Sequence, residues 1–322
     1  MSELPQPPTS ARARPRASVV IPTYRRTGPL RELLDTLVAD EGGAGDVEII
    51  VSDDGSGDEV ERVVAAYAGR LPRLRYITGE NAGPGVARNR GVAAASADVL
   101  LFVDSDCLVQ AGWANALANA IEAGAPIAFG PTRSAVPALE PFVHSIVFED
   151  ELVTATNLAF ARRTFESLGG FRADLSRIAE DRDLFTRARA AGIVPVWVPD
   201  AVVNHPPRLK KIRLPPIFGD TRHFGDLRAF YSSHPDVRAH DVRRNRVLLA
   251  KGALKLALGL TPVGLPMFLA QAFLRRREVN RRLEAADLDF RVPLGEAAKY
   301  GFLQPVNDLL RWASVLVQVN TF

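Results

Sequence analysis

Four short apolar runs separated by helix-patterned segments fill the stretch from Ala17 to Val103, and this alternation constrains the fold more than any other feature. Ala17–Ile21 (ASVVI), Val47–Val51 (VEIIV), Leu74–Ile77 and Val99–Val103 (VLLFV) read as strands, since each is short, apolar and rich in β-branched residues or bounded by turn signals. Between them, Leu30–Val38 repeats leucine at 30, 33, 34 and 37, Val60–Tyr67 gathers Val63, Val64 and Tyr67 on one side, and Gly85–Ala95 is alanine-rich. These three segments are predicted helices. Strands alternating with helices at this pace imply parallel βαβ units. Strands apolar on both sides imply a sheet covered on both faces. Further on, residues 127–203 mix short elements, with a helix expected at Asp181–Ala191 and strands at Val194–Val198 and Ala201–Val203.

In such sheets ligands bind at the carboxyl ends of the strands, and polar motifs stand at those ends here. The first strand runs into Pro22-Thr23-Tyr24-Arg25, the second into Ser52-Asp53-Asp54-Gly55-Ser56, and the fourth into Asp104-Ser105-Asp106. Two carboxylates two residues apart can converge on a hard divalent cation, although the same pattern also makes an ordinary polar turn. Asp53-Asp54-Gly55 is equally a turn signal or an acceptor for a base or ribose. Asn81–Gly91 (NAGPGVARNRG) offers close backbone approach through its glycines and phosphate contacts through Arg88 and Arg90, or is simply a helix start. It is neither a dinucleotide fingerprint nor a P-loop. Glu180-Asp181-Arg182-Asp183 opens a helix, where acidic residues are favoured by the macrodipole alone. A carboxylate there could also serve as a general base. His205 would need partners to act as a metal ligand, and Asp104 and Asp106 would supply them.

Composition limits the alternatives. The chain of 322 residues is 47% apolar and 24% charged, with a formal net charge of +3, which suits a buried core and gives no global polyanion-binding role. Nucleic-acid binding is not expected, because the basic segments lack interleaved aromatics and any known motif. Hydride transfer is disfavoured by the missing dinucleotide fingerprint. One thiol, Cys107, builds neither a disulfide framework nor a cysteine-based zinc site, and fits a reducing compartment. Residues 1–16, rich in proline and arginine and without an apolar signal stretch, read as a disordered tail.

Taken together, the segments SVVIPTYRR, VSDDGSGDE, NAGPGVARNRG, LLFVDSDCLV, NLAFARRTFESLGGF, AEDRDLFTRARAAG and VPDAVVNH resemble, in order, a family 2 glycosyltransferase of the GT-A fold. The resemblance implies a Rossmann-like, mostly parallel sheet flanked by helices over residues 17–206. It implies an enzyme moving a sugar from a nucleotide-diphosphate sugar, a UDP-sugar by preference, to an acceptor hydroxyl with inversion. A glycan, a glycolipid or a lipid-linked cell-envelope precursor is the expected acceptor. Position by position, it places Pro22, Thr23, Tyr24, Arg25, Asp53, Asp54, Arg88 and Asp104 at the nucleotide. It places Asp104, Asp106 and His205 at an Mn2+ or Mg2+ ion, Asp181 as the catalytic base, and Asn157, Gly169, Gly170 and Glu180 at the sugar and acceptor pocket. The absence of the Gln-x-x-Arg-Trp motif of processive synthases implies transfer of one or a few sugars. The alternative is a non-catalytic nucleotide- or glycan-binding module of the same fold. A sugar-phosphate nucleotidyltransferase is disfavoured, since no glycine-rich basic loop follows the first strand.

From residue 207 onward the sequence reads as a basic helical extension. Arg208 to Arg282 carries 17 lysines and arginines against 5 acidic residues. Within it Leu256–Leu274 has no charge but is interrupted by Gly259, Pro262, Gly264 and Pro266. Three roles compete for this stretch: a helix pair on an anionic membrane surface, a membrane span or re-entrant segment, or an apolar cover for the domain or a second copy. The first suits a cytoplasmic protein at the inner face of the plasma membrane.

Overall fold

The computed structural model describes residues 14–40, 46–134, 143–144, 154–176, 179–206, 208–209 and 221–243, with scattered helical positions between 250 and 281. The first half runs β1 (Ala17–Thr23), α1 (Thr27–Ala39), β2 (Val47–Asp53), α2 (Asp58–Ala65), β3 (Leu74–Thr78), α3 (Pro84–Ala94), β4 (Val99–Val103), β5 (Leu108–Val109) and α4 (Trp113–Glu122). There follow β6 (Ile127–Phe129), β7 (Thr132–Ser134), β8 (Val143–His144), β9 (Asn157–Ala161), α5 (Arg162–Ser167), α6 (Glu180–Ala190), β10 (Val196–Trp197), β11 (Val203–His205), β12 (Arg208–Leu209) and α7 (Thr221–Ser233).

The central sheet has the order β10-β6-β9-β4-β1-β2-β3. All neighbours in it are parallel except β9, which is antiparallel to both β4 and β6. The expected mostly parallel, helix-covered sheet is thus present. The strand alternation divides the core. Val19, Ile21, Leu101 and Val103 face α1, α2 and α4, while Val20, Leu100 and Phe102 face α3, α5 and α6. On the second face Phe102, Phe160, Phe165 and Phe171 form an aromatic cluster with ring centroids 5.5–6.2 Å apart. Gly91 lets α3 lie flush on the sheet, because any Cβ there would enter the space of the Val20 side chain.

Chain order reverses between β1 and β4, and the registers level their ends. Thr23 pairs with Asp53, and Val20 with Phe102. The tips of β1, β2 and β4 therefore open on one crevice, the position where open α/β sheets bind ligands. A three-stranded sheet, β5-β11-β7, forms beside it. Its antiparallel register, Val203 with Val109 and Asn204 with Leu108, puts His205 across from Cys107.

After residue 206 the helix α7 packs back on the region preceding α6, where Phe230 and Tyr231 bury against Leu175 with Ala179 beside them. The strand expected at Ala201–Val203 is Val203–His205, that expected at Val194–Val198 narrows to Val196–Trp197, and α4 and the antiparallel β9 had no expectation. Most of Leu256–Leu274 lies outside the described residues. Among the described residues, no helix is long and apolar enough to cross a membrane.

Candidate active site

The crevice is a cleft of ≈ 850 Å³ whose wall includes Pro22, Thr23, Tyr24, Asp54, Arg88, Asp104 and Glu180, seven residues singled out from the sequence. Arg26, Ser105, Ser176 and the loop Asn81-Ala82-Gly83-Pro84 extend it.

The two aspartates that end β2 take opposite parts, because successive strand residues point to opposite sides. Asp54 faces the cleft and organises its floor. Its carboxylate accepts hydrogen bonds from Ala82 N (3.0 Å), Gly83 N (2.8 Å) and Asn81 Nδ2 (3.0 Å), tying the β3–α3 loop to the tip of β2. Asp53 is fully buried and is not part of the cleft wall. It accepts from Ser56 N, Ser56 Oγ, Thr78 Oγ1 and, at 2.9 Å, Tyr76 Oη. Burial and that bond to Asp53 push the Tyr76 phenol up to about 12. Asp53 thus holds the turn after β2 and the end of β3 together from outside the cleft wall.

Arg88, one turn into α3, is the charged centre of the cleft. It is buried and donates through Nη2 to Asp104 Oδ1 (2.7 Å) and through Nη1 to Glu180 Oε1 (3.1 Å). Its guanidinium lies 5.3 Å from the centroid of the Phe171 ring. Burial works against its charge, but Asp104 and Glu180 more than offset that and hold it above its ordinary value. For Glu180 burial wins over Arg88, and its carboxyl is raised. Asp104 also accepts from Thr156 Oγ1 at 3.0 Å. Two buried donors in this wall, Thr23 Oγ1 and Arg88 Nε, have no partner among the described residues.

Beside the cleft, Asp106, Cys107 and His205 bring a carboxylate oxygen, a sulfur and an imidazole nitrogen within 4.8 Å of one another, all buried. His205 Nε2 is 3.6 Å from Asp106 Oδ2. Its Nδ1 is 3.1 Å from the Pro206 carbonyl, an acceptor that a proton on Nδ1 would satisfy. Arg26 Nη1 also donates to Asp106 Oδ2. Of the three expected metal ligands, Asp106 and His205 come together. Asp104 is outside the group and faces Arg88 instead.

At the start of α6, Ala179 takes a left-handed conformation (φ 67°), and Glu180 then faces the cleft. The half-buried Asp181 accepts from Arg182 N at 2.7 Å and is not part of the cleft wall. Asp183, fully buried, anchors this turn through Arg187 Nη2 (2.6 Å), His234 Nε2 (2.8 Å) and Arg172 Nη1 (3.4 Å).

Four more of the expected site residues lie outside the cleft wall. Asn157 is buried and braces neighbouring elements. Its Oδ1 accepts from Trp113 Nε1 (2.8 Å), and its Nδ2 donates to the Pro131 and Ala201 carbonyls (2.9 and 2.7 Å). Gly169 and Gly170, with φ of 78° and 66°, end α5 and turn the chain, away from the cleft wall. Arg25 is exposed, with its guanidinium carbon 5.1 Å from the Tyr24 ring centroid, and it too is outside the wall.

The cleft loop depends on Gly83, whose φ is 99° and where any Cβ would collide with the Ser176 carbonyl. Gly83→Ala is expected to destabilise the fold by about 1–3 kcal/mol, as overpacking does, measured by chemical denaturation. An unchanged midpoint would show that the loop yields freely.

Residues 18–171 match the family model described as glycosyl transferase family 2. Validoxylamine A glucosyltransferase of Streptomyces hygroscopicus subsp. jinggangensis is 39% identical over 140 residues, 42% of this chain and 33% of that protein. The poly(ribitol-phosphate) beta-N-acetylglucosaminyltransferase TarS of Staphylococcus aureus is 33% identical over 90 residues, 28% of this chain and 16% of that protein. The chain thus spans a third or less of the length of these relatives. The mannosyltransferase PcManGT from Pyrobaculum calidifontis, solved in complex with GDP-Man and Mn2+, has a TM-score of 0.49 and 20% identity, covering 96% of this chain and 86% of that one.

Proposed function

We propose, from the match of residues 18–171 to the model of glycosyl transferase family 2, that the chain is an inverting glycosyltransferase using a nucleotide-diphosphate sugar. The observation that carries this reading is the cleft at the β1/β4 switch point, lined by Thr23, Asp54, Arg88 and Asp104, with an ion-ligand group at its side. In this reading Pro22, Thr23 and Tyr24 flank the base and ribose. Asp54 presents an acceptor to an N–H edge of the base, since its Oδ1 holds one loop bond and can accept another. UDP is our first choice of nucleotide. Asp104, oriented by Arg88 and Thr156, accepts from a ribose hydroxyl.

The donor set of Asp106 and His205 suits a divalent transition ion. An Mn2+ or Mg2+ ion held there would offset the charge of the departing nucleoside diphosphate. Arg26 and Arg88 place further positive charge along the same wall. Asp181 takes the proton from the acceptor hydroxyl, whose oxygen then attacks the anomeric carbon opposite the diphosphate. Glu180 is the second candidate for that proton, favoured by its place in the cleft wall. The acceptor is a glycan, a glycolipid or a lipid-linked envelope precursor. In support, both relatives described above are named for sugar transfer, and the basic run from Arg208 to Arg282 suits an anionic membrane surface at the cytoplasmic side. We read residues 207–322 as a helical appendage to a catalytic domain at 17–206.

Calorimetric titration with UDP, GDP and dTDP, each with and without Mn2+, tests this. Binding of one nucleotide that is strengthened by Mn2+, with the strengthening lost in Asp106→Ala, is the expected outcome. No nucleotide binding by the folded protein would overturn the reading and favour a module without transferase activity.

A further inference from the structure

We propose that Cys107 is itself an ion ligand, so that the group Asp106–Cys107–His205 selects a thiophilic divalent ion of the zinc and cobalt class over Mg2+. This rests on the ion-dependent reading above and adds to it a ligand and a selectivity. A buried thiol usually packs as a small apolar side chain, and Cys107 does contribute to the core. What sets it apart is its company. The register of β5 on β11 places it across from His205, while Asp106 precedes it in sequence, and the three ligand atoms lie within 4.8 Å of one another. The His205 ring is held in place, with Nδ1 3.1 Å from the Pro206 carbonyl and Nε2 3.6 Å from Asp106 Oδ2.

One carboxylate, one sulfur and one imidazole form a mixed donor set that suits Zn2+ or Co2+. Mg2+ demands a near-octahedral shell of oxygens and gains little from sulfur. On binding, a metal–sulfur bond forms and the thiol proton leaves to solvent. The paired charge of thiolate and carboxylate then matches a divalent ion, which takes the place of the Arg26 hydrogen bond on Asp106 Oδ2, the oxygen that faces His205 Nε2.

The test uses the full chain stripped with a chelator and titrated with Co2+ in the presence of UDP or GDP, read by ultraviolet–visible absorption and by calorimetry. The expected result is a sulfur-to-cobalt charge-transfer band in the near ultraviolet. It should be absent in Cys107→Ser, together with a loss of Co2+ and Zn2+ affinity of about a hundredfold, the upper end of what even an outer-shell partner contributes. Mn2+ affinity should change far less. If the serine variant does not fold, the cadmium–sulfur band of the wild-type chain gives the same answer. Co2+ binding that is lost in His205→Ala but shows no charge-transfer band would overturn the role of Cys107 and leave the ion site standing. Failure of Co2+ and Mn2+ to bind under any condition would overturn both.

Discussion

Arg88→Met is expected to lower stability at neutral pH by about 3–5 kcal/mol, the range for breaking a buried ion pair from one side, and to abolish sugar transfer. Methionine preserves much of the stem volume, so the cost is electrostatic and not a cavity. In the wild type a single buried guanidinium serves Asp104 at 2.7 Å and Glu180 at 3.1 Å. Its removal leaves two carboxylates facing each other in a poorly solvated wall. Glu180 is already raised by burial despite Arg88, and without Arg88 it rises further. A carboxyl raised in the folded state favours folding most below its unfolded value and loses that contribution as pH rises through the folded value. The deficit of the variant should therefore shrink as pH falls from neutral through the raised folded value towards the ordinary glutamate value. Urea denaturation from neutral to mildly acidic pH checks both size and direction. Arg88→Lys should fall between, since one ammonium cannot reach both carboxylates as a fork. A methionine variant within about 1 kcal/mol of wild type, flat with pH, would show that the pair contributes no more than an exposed one.

That the sequence exposed this arginine at all, and hid other parts of the site, has physical reasons. Long apolar runs such as Val99–Val103 and the leucine stripe of α1 bury large areas by local pattern alone, and they were legible. So were the polar strand ends, because the sheet order turns them into one crevice. The two-residue strands were not legible, since so short a pairing is decided by tertiary context. Yet β5 on β11 is what carries His205 to Asp106 and Cys107. Neighbouring polar residues were equally hard to sort. Asp53 and Asp54 read alike in sequence, but the strand's alternation sends one to Tyr76 and Ser56 and the other to the cleft. Asn157 heads an apolar strand, a pattern that fits a ligand contact as well as a strut. Only the nearby carbonyls of Pro131 and Ala201 decide for the strut. Arg26 belongs to the cleft wall, but in the sequence it was one arginine among many.

Asp181→Asn is expected to reduce turnover roughly 10²–10⁴-fold, the range for loss of a positioned general base, while nucleotide affinity stays near wild type. The change is isosteric and should barely affect the fold, since a carboxylate in the first turn of a helix contributes only about 0.3–1 kcal/mol. The rigidity of that turn comes from elsewhere. Asp183 anchors it to Arg187 within α6, to Arg172 and to His234 beyond α7, and Arg182 adds an ion pair to Asp241 at 2.7 Å. The substituted amide would thus occupy the same place with the basicity removed, which makes the kinetic comparison clean. Glu180→Gln supplies the contrast. It removes one of the two charges facing Arg88, so it should alter stability and nucleotide affinity as well as rate. Steady-state kinetics on both variants, with nucleotide affinity measured in parallel, separates the roles. If Asp181→Asn kept its turnover and Glu180→Gln lost turnover at unchanged nucleotide affinity, the proton would go to the carboxylate that faces the cleft, and Asp181 would be left as a helix-terminal charge.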